Sequence, residues 1–178
     1  MNFRALRIYE ENETFVRKII ERNIDELPEG DVLIKVKYSS LNYKDALSCI
    51  GNRGVTRKYP HTPGIDAAGI VEDSKVPEFI KGEEVFITGY DLGMNTDGGF
   101  GEYIRVPANW VVKKPTNLSL KEAMIYGTAG FTSALSVFEL IKEVAPEDGD
   151  ILVIGAGGGV GSHSVKFLTK LGYNVTAV

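Results

Sequence analysis

The stretch ILVIGAGGGVGSHSVKFLTKLGYNVTAV, residues 151–178, decides the fold. It opens with the apolar run ILVIG and continues with five glycines in the seven positions from 155 to 161. The segment SVKFLTKLG then follows a helical period, and residues 174–178 read as a second strand. Strand, glycine loop, helix and strand in this order predict a βαβ unit of the kind that binds dinucleotides. The apolar stripe of the predicted helix is Val165, Leu168 and Leu171.

The glycine loop predicts a phosphate site made of backbone. Without side chains the chain can approach a pyrophosphate, whose charge meets free N–H groups and the positive end of a helix beginning near Gly161. Glycines alone also suit a tight turn, and the register is A-x-G-x-x-G from Ala156 because Val160 breaks the one from Gly155. Ser162 offers an N–H or hydroxyl to phosphate, or only starts the helix. The residues assigned to the cofactor here are Gly158, Gly159, Val160, Gly161 and Ser162.

Only the first two strands of such a domain are present. A doubly wound domain has about six strands, so roughly four are missing after Val178. We therefore expect a fragment, and we expect it to be inactive alone.

Residues up to about Pro115 mostly follow the two-residue period of strands. Turn residues separate these short apolar runs, which favours a compact, partly closed β-barrel. At Ser119 to Glu122 a capping box opens a helical stretch through Val144, which Gly127 and Gly130 break into two helices. We place residues 1–118 in the barrel domain and 119–178 in the start of the nucleotide-binding domain. The apolar runs are DVLIKVKYS, GIDAAGIV, EEVFITGY, GEYIRV and NWVVKK.

Composition excludes several classes of partner. The 178 residues carry 20 basic and 24 acidic side chains, a net charge of −4 with the signs interspersed, so neither nucleic acid nor an anionic membrane is expected. Small molecules are the expected partners. One cysteine and two histidines supply no metal-ligand cluster, and the N-terminus MNFRALRIYEENE has no apolar leader. We expect a cytoplasmic location.

Five segments in order carry a family resemblance. They resemble the medium-chain dehydrogenase/reductase superfamily, and within it the zinc-free YhdH/YhfP-type quinone oxidoreductase and acryloyl-CoA reductase branch. The resemblance implies a GroES-like β-barrel domain followed by a Rossmann-type doubly wound domain, NADPH as cofactor, an acryloyl-CoA-like enone or a quinone as substrate, and a homodimer at full length. The segments are SSLNYKDAL (39–47), PGIDAAGIV (63–71), GGFGEYIRVPANW (98–110), YGTAGFTSAL (126–135) and GAGGGVGS (155–162).

The same resemblance predicts the absence of catalytic zinc. In zinc-dependent relatives the ligands are a cysteine in the segment similar to NYKD, a histidine in the segment similar to Gly64-Ile65-Asp66, and a second cysteine near Thr128. Here Asn42, Ile65 and Thr128 stand at these places. An amide, a hydrocarbon and a hydroxyl supply neither thiolate nor imidazole, so no Lewis acid is expected.

Hydride attack on an activated alkene needs donors at the oxygen that gains charge. Tyr43 could donate through its phenol to substrate or nicotinamide, and the Asn42 amide could orient either. Asp45 could hold a water or anchor the loop. For each a structural alternative stays open: Asn42 as a helix cap, Asp45 as a dipole partner, Tyr43 as barrel core. For Thr128 two interpretations stay open: its hydroxyl or N–H contacts the nicotinamide or ribose, or the residue only ends a helix.

These residues favour an NADPH-dependent oxidoreductase that transfers hydride to an activated alkene or a quinone without zinc. The alternative is a nicotinamide-nucleotide binding or structural protein of the same fold without turnover, because fold alone does not fix function. A zinc alcohol dehydrogenase is the third interpretation, and it requires a metal bound in a fixed ratio.

Overall fold

A computed structural model describes all 178 residues. The chain divides into two compact units, Met1–Ile125 and Tyr126–Val178, and each has a hydrophobic core of its own. The border between these two units lies a few residues after the domain boundary that the sequence predicts between residues 118 and 119. That domain boundary stays a prediction. None of the helices combines the length and the apolar character needed to cross a bilayer.

The first unit is built from antiparallel strands. A hairpin of two long strands precedes a five-stranded sheet in the order β6-β3-β4-β5-β7. An isolated bridge between Ala5 and Gly101 joins the hairpin to the segment before β6. The strands are β1 (Asn2–Glu11), β2 (Thr14–Asn23), β3 (Val32–Tyr38), β4 (Asp66–Ser74), β5 (Glu84–Thr88), β6 (Tyr103–Val106) and β7 (Val112–Lys113).

The core of this unit follows the two-residue period of the strands. Val32 and Ile34 on β3 are fully buried with residues of β4, β5 and β6, while Leu33 packs on the opposite face with Phe3 of the hairpin. Burial on both faces at the start of β3 explains why its apolar run is continuous there. The alternation ends at Tyr38, which is 45% exposed.

A short helix, α1 (Tyr43–Cys49), lies between β3 and β4. The longer helix α2 (Leu120–Leu140) begins in the first unit, where Leu120, Ala123 and Met124 pack against Ala68 of β4. Its start is capped as the sequence predicts, because the Ser119 N–H donates to Glu122 Oε2 (2.8 Å) and the Glu122 N–H donates to Ser119 Oγ (3.2 Å).

The second unit holds the rest of α2, β8 (Ile151–Val153), α3 (Gly159–Lys170) and β9 (Val175–Ala177). Strands β8 and β9 are parallel, with Ile151 opposite Val175. Val137 of α2, Leu168 of α3 and Tyr173 form the buried centre of this unit. The predicted βαβ unit is therefore present.

Several details differ from the expectations. Helix α3 begins at Gly159, two residues before Gly161, and Leu171 is half exposed while Phe167 packs on the core. Gly127 breaks α2 with φ 47° and ψ −152°, but Gly130 stays helical, and the helix ends at Leu140 with a turn to Val144. The hairpin of β1 and β2 was not among the predicted elements.

Candidate active site

Asn42 lies at the N-cap position of α1, but its side chain does not cap the helix. Its Nδ2 group donates to Asp66 Oδ2 (2.9 Å) and to Ser40 Oγ (3.0 Å). The Ser40 hydroxyl donates to the same Asp66 oxygen, and Asp66 is fully buried at the start of β4. The two bonds use both hydrogens of the Asn42 amide nitrogen. The group that remains for a ligand is therefore the Oδ1 carbonyl, which accepts hydrogen bonds.

Asp45 is buried, with 1% of its surface exposed. Its Oδ2 accepts the Asn42 N–H (2.8 Å), and its Oδ1 accepts the N–H groups of Ile65 (2.9 Å) and Gly64 (3.2 Å). Burial raises the pKa of this carboxyl, while the bonds from the Asn42 and Ile65 backbone work in the opposite direction. These bonds tie the start of α1 to the Gly64–Ile65 segment, as the loop-anchoring alternative requires.

Tyr43 is the first residue of α1 and is 81% exposed. The side chain is therefore not part of the barrel core, which removes the structural alternative for this residue. The same turn places Asn42 and Asp45 beside it in the chain, so the first unit brings the three predicted catalytic residues to one helix start.

The three positions that hold zinc ligands in zinc-dependent enzymes carry neither a thiolate nor an imidazole in this chain. Asn42 is engaged with Asp66, and Ile65 is an apolar side chain with 3% of its surface exposed. Thr128 belongs to the second unit, where its carbonyl accepts from Thr132 Oγ1 (2.7 Å). Across the chain, no three His, Cys, Asp or Glu side chains lie close enough together to hold a metal ion.

Two glycines, one in the loop before α3 and one in the first turn of α3, are required by the fold of the second unit. Gly155 has φ +74°, in the left-handed region that favours glycine. A Cβ on Gly161 would lie 2.2 Å from the Gly155 carbonyl oxygen, so the start of α3 can approach the end of β8 only without it. These two positions explain how the loop closes.

Gly157 is different, because nothing in the chain requires a glycine there. A Cβ on this residue would meet no atom within 4 Å, and its φ lies outside the left-handed region. Gly158 is similar, because a Cβ on this residue would lie 3.4 Å from its nearest neighbour, the Gly155 carbonyl oxygen. Both glycines are exposed. The missing side chains thus leave the backbone open to a ligand.

The amides at the start of α3 follow Gly157 and Gly158 directly in the chain. The Ser162 N–H donates to the Gly158 carbonyl (2.9 Å), which is the first bond of the helix. The N–H groups of the three residues before it, Gly159, Val160 and Gly161, therefore have no acceptor inside the helix. They carry the partial positive charge of the helix start. The Ser162 hydroxyl donates its one proton to the Gly159 carbonyl (3.1 Å), so in this conformation neither its N–H nor its hydroxyl is available to a phosphate.

The segment that contains Thr128 lies against the same loop. A Cβ on Gly159 would be 3.0 Å from the Ala129 Cβ, so α2 and the start of α3 are in close approach just after the break at Gly127. The second unit thus brings Ala129, the residue after Thr128, against Gly159 of the predicted cofactor-binding residues.

Asp66 and Ser40 were missed in the sequence. Their bonds to Asn42 join residues 24 and 2 positions apart, and only the tertiary fold shows the longer one. A signal was present, since Asp66 stands beside Ile65 in the segment similar to the histidine-bearing one of zinc-dependent relatives.

A β-barrel unit followed by a glycine loop that opens a βαβ unit defines a GroES-like domain joined to the start of a Rossmann-type domain. Residues 28–116, half of the chain, match the family described as Alcohol dehydrogenase GroES-like domain. The chain belongs to this family, and with it to the medium-chain dehydrogenase/reductase superfamily. The fold class predicted from the sequence is confirmed.

Three relatives illustrate the match. YhfP of Bacillus subtilis, named as a quinone oxidoreductase, is 53% identical over 154 residues, which are 86% of this chain and 47% of that protein. The acrylyl-CoA reductase AcuI of Ruegeria pomeroyi is 46% identical over 158 residues, 88% of this chain and 48% of that protein. The crystal structure of the Salmonella enterica yhdH oxidoreductase in complex with NADP has a TM-score of 0.95 at 44% identity, covering 99% of this chain and 54% of that one.

A crystal structure of YhfP with NAD bound gives the same TM-score, 0.95, at 48% identity, again over 99% of this chain and 54% of that one. The chain therefore spans about half the length of the relatives that it matches. The predicted family branch is confirmed by these matches.

Proposed function

We propose that this chain forms the substrate barrel and the phosphate loop of an NADPH-dependent oxidoreductase, which transfers hydride to an activated alkene of the acryloyl-CoA type or to a quinone without zinc. The observation that carries the proposal is the opening at Gly157 and Gly158. Neither packing nor backbone conformation requires glycine at Gly157. Open backbone in front of three amides at a helix start suits the pyrophosphate of a dinucleotide.

The relatives support a nicotinamide dinucleotide, and NADPH is chosen for this proposal because the family resemblance implies it. NADP is bound in the Salmonella yhdH structure and NAD in the Bacillus YhfP structure, so both nucleotides occur among close relatives. The residues that read the ribose of the adenosine follow the second strand of a Rossmann domain, which is β9 here. A cytoplasmic homodimer belongs to the same proposal.

The side chains of the first unit favour a reaction without a Lewis acid. Neither the amide of Asn42 nor the hydrocarbon of Ile65 can serve as the thiolate or imidazole that zinc needs. NADPH, held by the backbone at the start of α3, would supply the hydride. As hydride adds to the β-carbon of an enone, negative charge moves to the carbonyl oxygen, and the α-carbon then takes a proton.

Tyr43 and Asn42 take different parts in this proposal. The exposed Tyr43 hydroxyl can donate to the oxygen that gains charge. Asn42 cannot do so while its amide nitrogen donates to Asp66 and Ser40. Its Oδ1 instead suits an N–H donor on a bound molecule, such as a carboxamide. Asp45 anchors the turn that carries both residues.

The test is turnover by the protein at its natural length. NADPH is mixed first with acryloyl-CoA and then with a quinone, and the loss of reduced-nicotinamide absorbance is followed, with metal content measured in parallel. We expect oxidation with at least one acceptor and no metal in a fixed ratio to protein. NADPH that binds but is not oxidised would favour the nucleotide-binding protein without turnover, and stoichiometric zinc would favour an alcohol dehydrogenase.

For the site itself, we expect Tyr43→Phe to lower kcat by roughly 100- to 1000-fold, because one donor to the developing oxyanion is lost. Cofactor binding should change much less, since the phosphates are bound elsewhere. Kinetics and NADPH titrations on the same preparation measure both, and Tyr38→Phe, which removes another exposed hydroxyl, is the control. Unchanged turnover would remove Tyr43 from the catalytic residues.

A further inference from the structure

Tyr90 and Trp110 form an exposed aromatic pair in the first unit. Their rings are parallel, with an interplanar angle of 7° and centroids 5.3 Å apart. Tyr90 is 60% exposed, while Trp110 is half-buried and packs against the main core. Stacking on Trp110 covers one face of the Tyr90 ring, so the solvent-exposed surface includes the other face.

The position of the Tyr90 ring is fixed. Its hydroxyl donates to the Asn109 carbonyl (3.0 Å), which holds the far end of the side chain. Its backbone has φ +53°, in the left-handed region that few residues other than glycine, asparagine and aspartate adopt. An unfavourable backbone conformation that the surrounding structure maintains is commonly associated with a functional site.

The pair lies at the same end of the sheet as the Asn42–Asp66 contact. Asp66 begins β4 opposite Thr88, which ends β5, and the Gly89 N–H donates to the Ile65 carbonyl (3.2 Å). On the far side of β5, Phe86 is opposite Val112, so Trp110 lies just before β7 at this same end. Neighbouring strands are about 4.8 Å apart, which puts β7 about 10 Å from β4.

We propose that the exposed face of Tyr90 binds the flat ring of a quinone. This inference deepens the proposed function and rests on it for the choice of ligand. A rigid, electron-rich phenol ring offers an offset stacking surface to a flat, electron-poor ring. A flexible acyl thioester has no ring at its reacting end and cannot use this surface in the same way. Tyr90 is therefore a residue that favours quinones over acyl-CoA esters.

The single tryptophan of the chain gives a direct measurement, because Trp110 is stacked under Tyr90. The chain is titrated with duroquinone, whose methylated ring resists addition by the Cys49 thiol, and Trp110 fluorescence is followed without any cofactor. We expect quenching that saturates. Linear quenching, equal to that of N-acetyltryptophanamide, would overturn the proposal because it reports collision alone.

The variant Tyr90→Asn removes the ring but suits the left-handed backbone. We expect its Kd for duroquinone to rise at least about tenfold, with a Tm close to that of the parent chain. Tyr38→Ala, which removes another exposed tyrosine ring, should leave the Kd unchanged. If both variants weaken binding equally, or if Tyr90→Asn binds as tightly as the parent chain, the proposal fails.

A second titration uses coenzyme A in place of duroquinone, since its adenine is also a flat ring. One outcome would contradict the assignment to a quinone. In that outcome coenzyme A quenches the fluorescence with saturation, Tyr90→Asn abolishes this quenching, and duroquinone causes no saturable quenching. Because no NADPH is present, these results are independent of turnover. Failure of NADPH oxidation with saturable quinone binding would remove the proposed function but not the ring-binding surface.

Discussion

Asp45 shows how one buried side chain sets the geometry of its neighbours. Three backbone N–H groups donate to its carboxyl, from the start of α1 and from Gly64 and Ile65. The bonds hold the turn that carries Asn42 and Tyr43. At the scale of the residue, Asp45 is a positioning group in this structure.

The Asp45→Asn variant tests this role. An amide has one acceptor oxygen, so at least one of the N–H groups loses its partner and faces an NH₂ group instead. We expect a loss of about 1–3 kcal/mol in the free energy of unfolding, measured by urea denaturation. The exposed Asp73→Asn serves as control and should change stability little. Equal stability of both variants would show that the bonds to Asp45 are not needed.

His61 gives a prediction about pH. Its side chain is buried, and burial lowers its pKa. A hydrogen bond with the Gly93 backbone and the charges of Asp97 and Asp91 act against this lowering of the pKa, while the charge of Arg7 adds to it. The Nε2 atom of His61 has no hydrogen-bond partner. The unfolded chain binds a proton at this residue below about pH 6.5, while the folded chain resists it. Stability should therefore fall as pH falls below about 6.5.

Unfolding free energies between pH 8 and pH 5 (roughly the range in which histidine titrates) measure the effect. In His61→Gln this part of the slope should be absent, because glutamine does not titrate. A His163→Gln variant is the matched control, since His163 is the other histidine of the chain. The prediction is contradicted if His61→Gln keeps the full slope of the parent chain.

At the scale of the element, the start of α3 combines two kinds of glycine. Gly161 permits close packing on the Gly155 carbonyl, whereas Gly157 faces open space. Packing also explains why α3 begins two residues earlier than the sequence indicated. Glycine disfavours helix by about 1 kcal/mol relative to alanine, and the tertiary structure overrides that preference.

Gly161→Ala should destabilise the second unit, since its Cβ would lie 2.2 Å from a backbone oxygen. We expect a loss of about 1–3 kcal/mol, visible as a lower Tm in thermal unfolding. Gly157→Ala is the matched control and should raise stability slightly, because alanine restricts the unfolded chain. A Gly161→Ala chain as stable as its parent would mean that the loop closes differently.

Local signals in the sequence located some elements and not others. The Ser119 capping box predicted the start of α2 because all of its partners lie within four residues. The sequence did not predict the β1–β2 hairpin, because its turn has Asn12 and Glu13 in left-handed conformations and lacks the glycine that usually marks such turns. Its strands carry charged side chains that obscure the alternation.

At the scale of the whole molecule, the resemblance predicted the family and the residue pattern of 151–178 predicted the glycine loop, while the network around Asn42 needed coordinates. The sequence placed Asn42, Tyr43 and Asp45 together because they are neighbours in the chain. It could not show that Asp66 and Ser40 hold the Asn42 amide, since the bond from Asn42 Nδ2 to Asp66 Oδ2 spans 24 residues. As a result, Asn42 changes from a possible donor to an acceptor.

The chain as a whole distributes two tasks over two units. The first presents Tyr43 and Asn42 at the start of α1, and the second presents backbone amides at the start of α3. The proposed hydride chemistry needs both, but it depends first on the binding of a dinucleotide by the open glycine backbone. That step can be measured without substrate.

The most direct measurement is calorimetric titration of NADPH into the chain and into its Gly157→Ala variant, with Tm recorded for both. We predict that the parent chain binds NADPH and that the variant, at equal or higher Tm, binds it roughly tenfold or more weakly. Unchanged affinity in a stable Gly157→Ala variant would contradict the claim that this loop receives the phosphates of the cofactor.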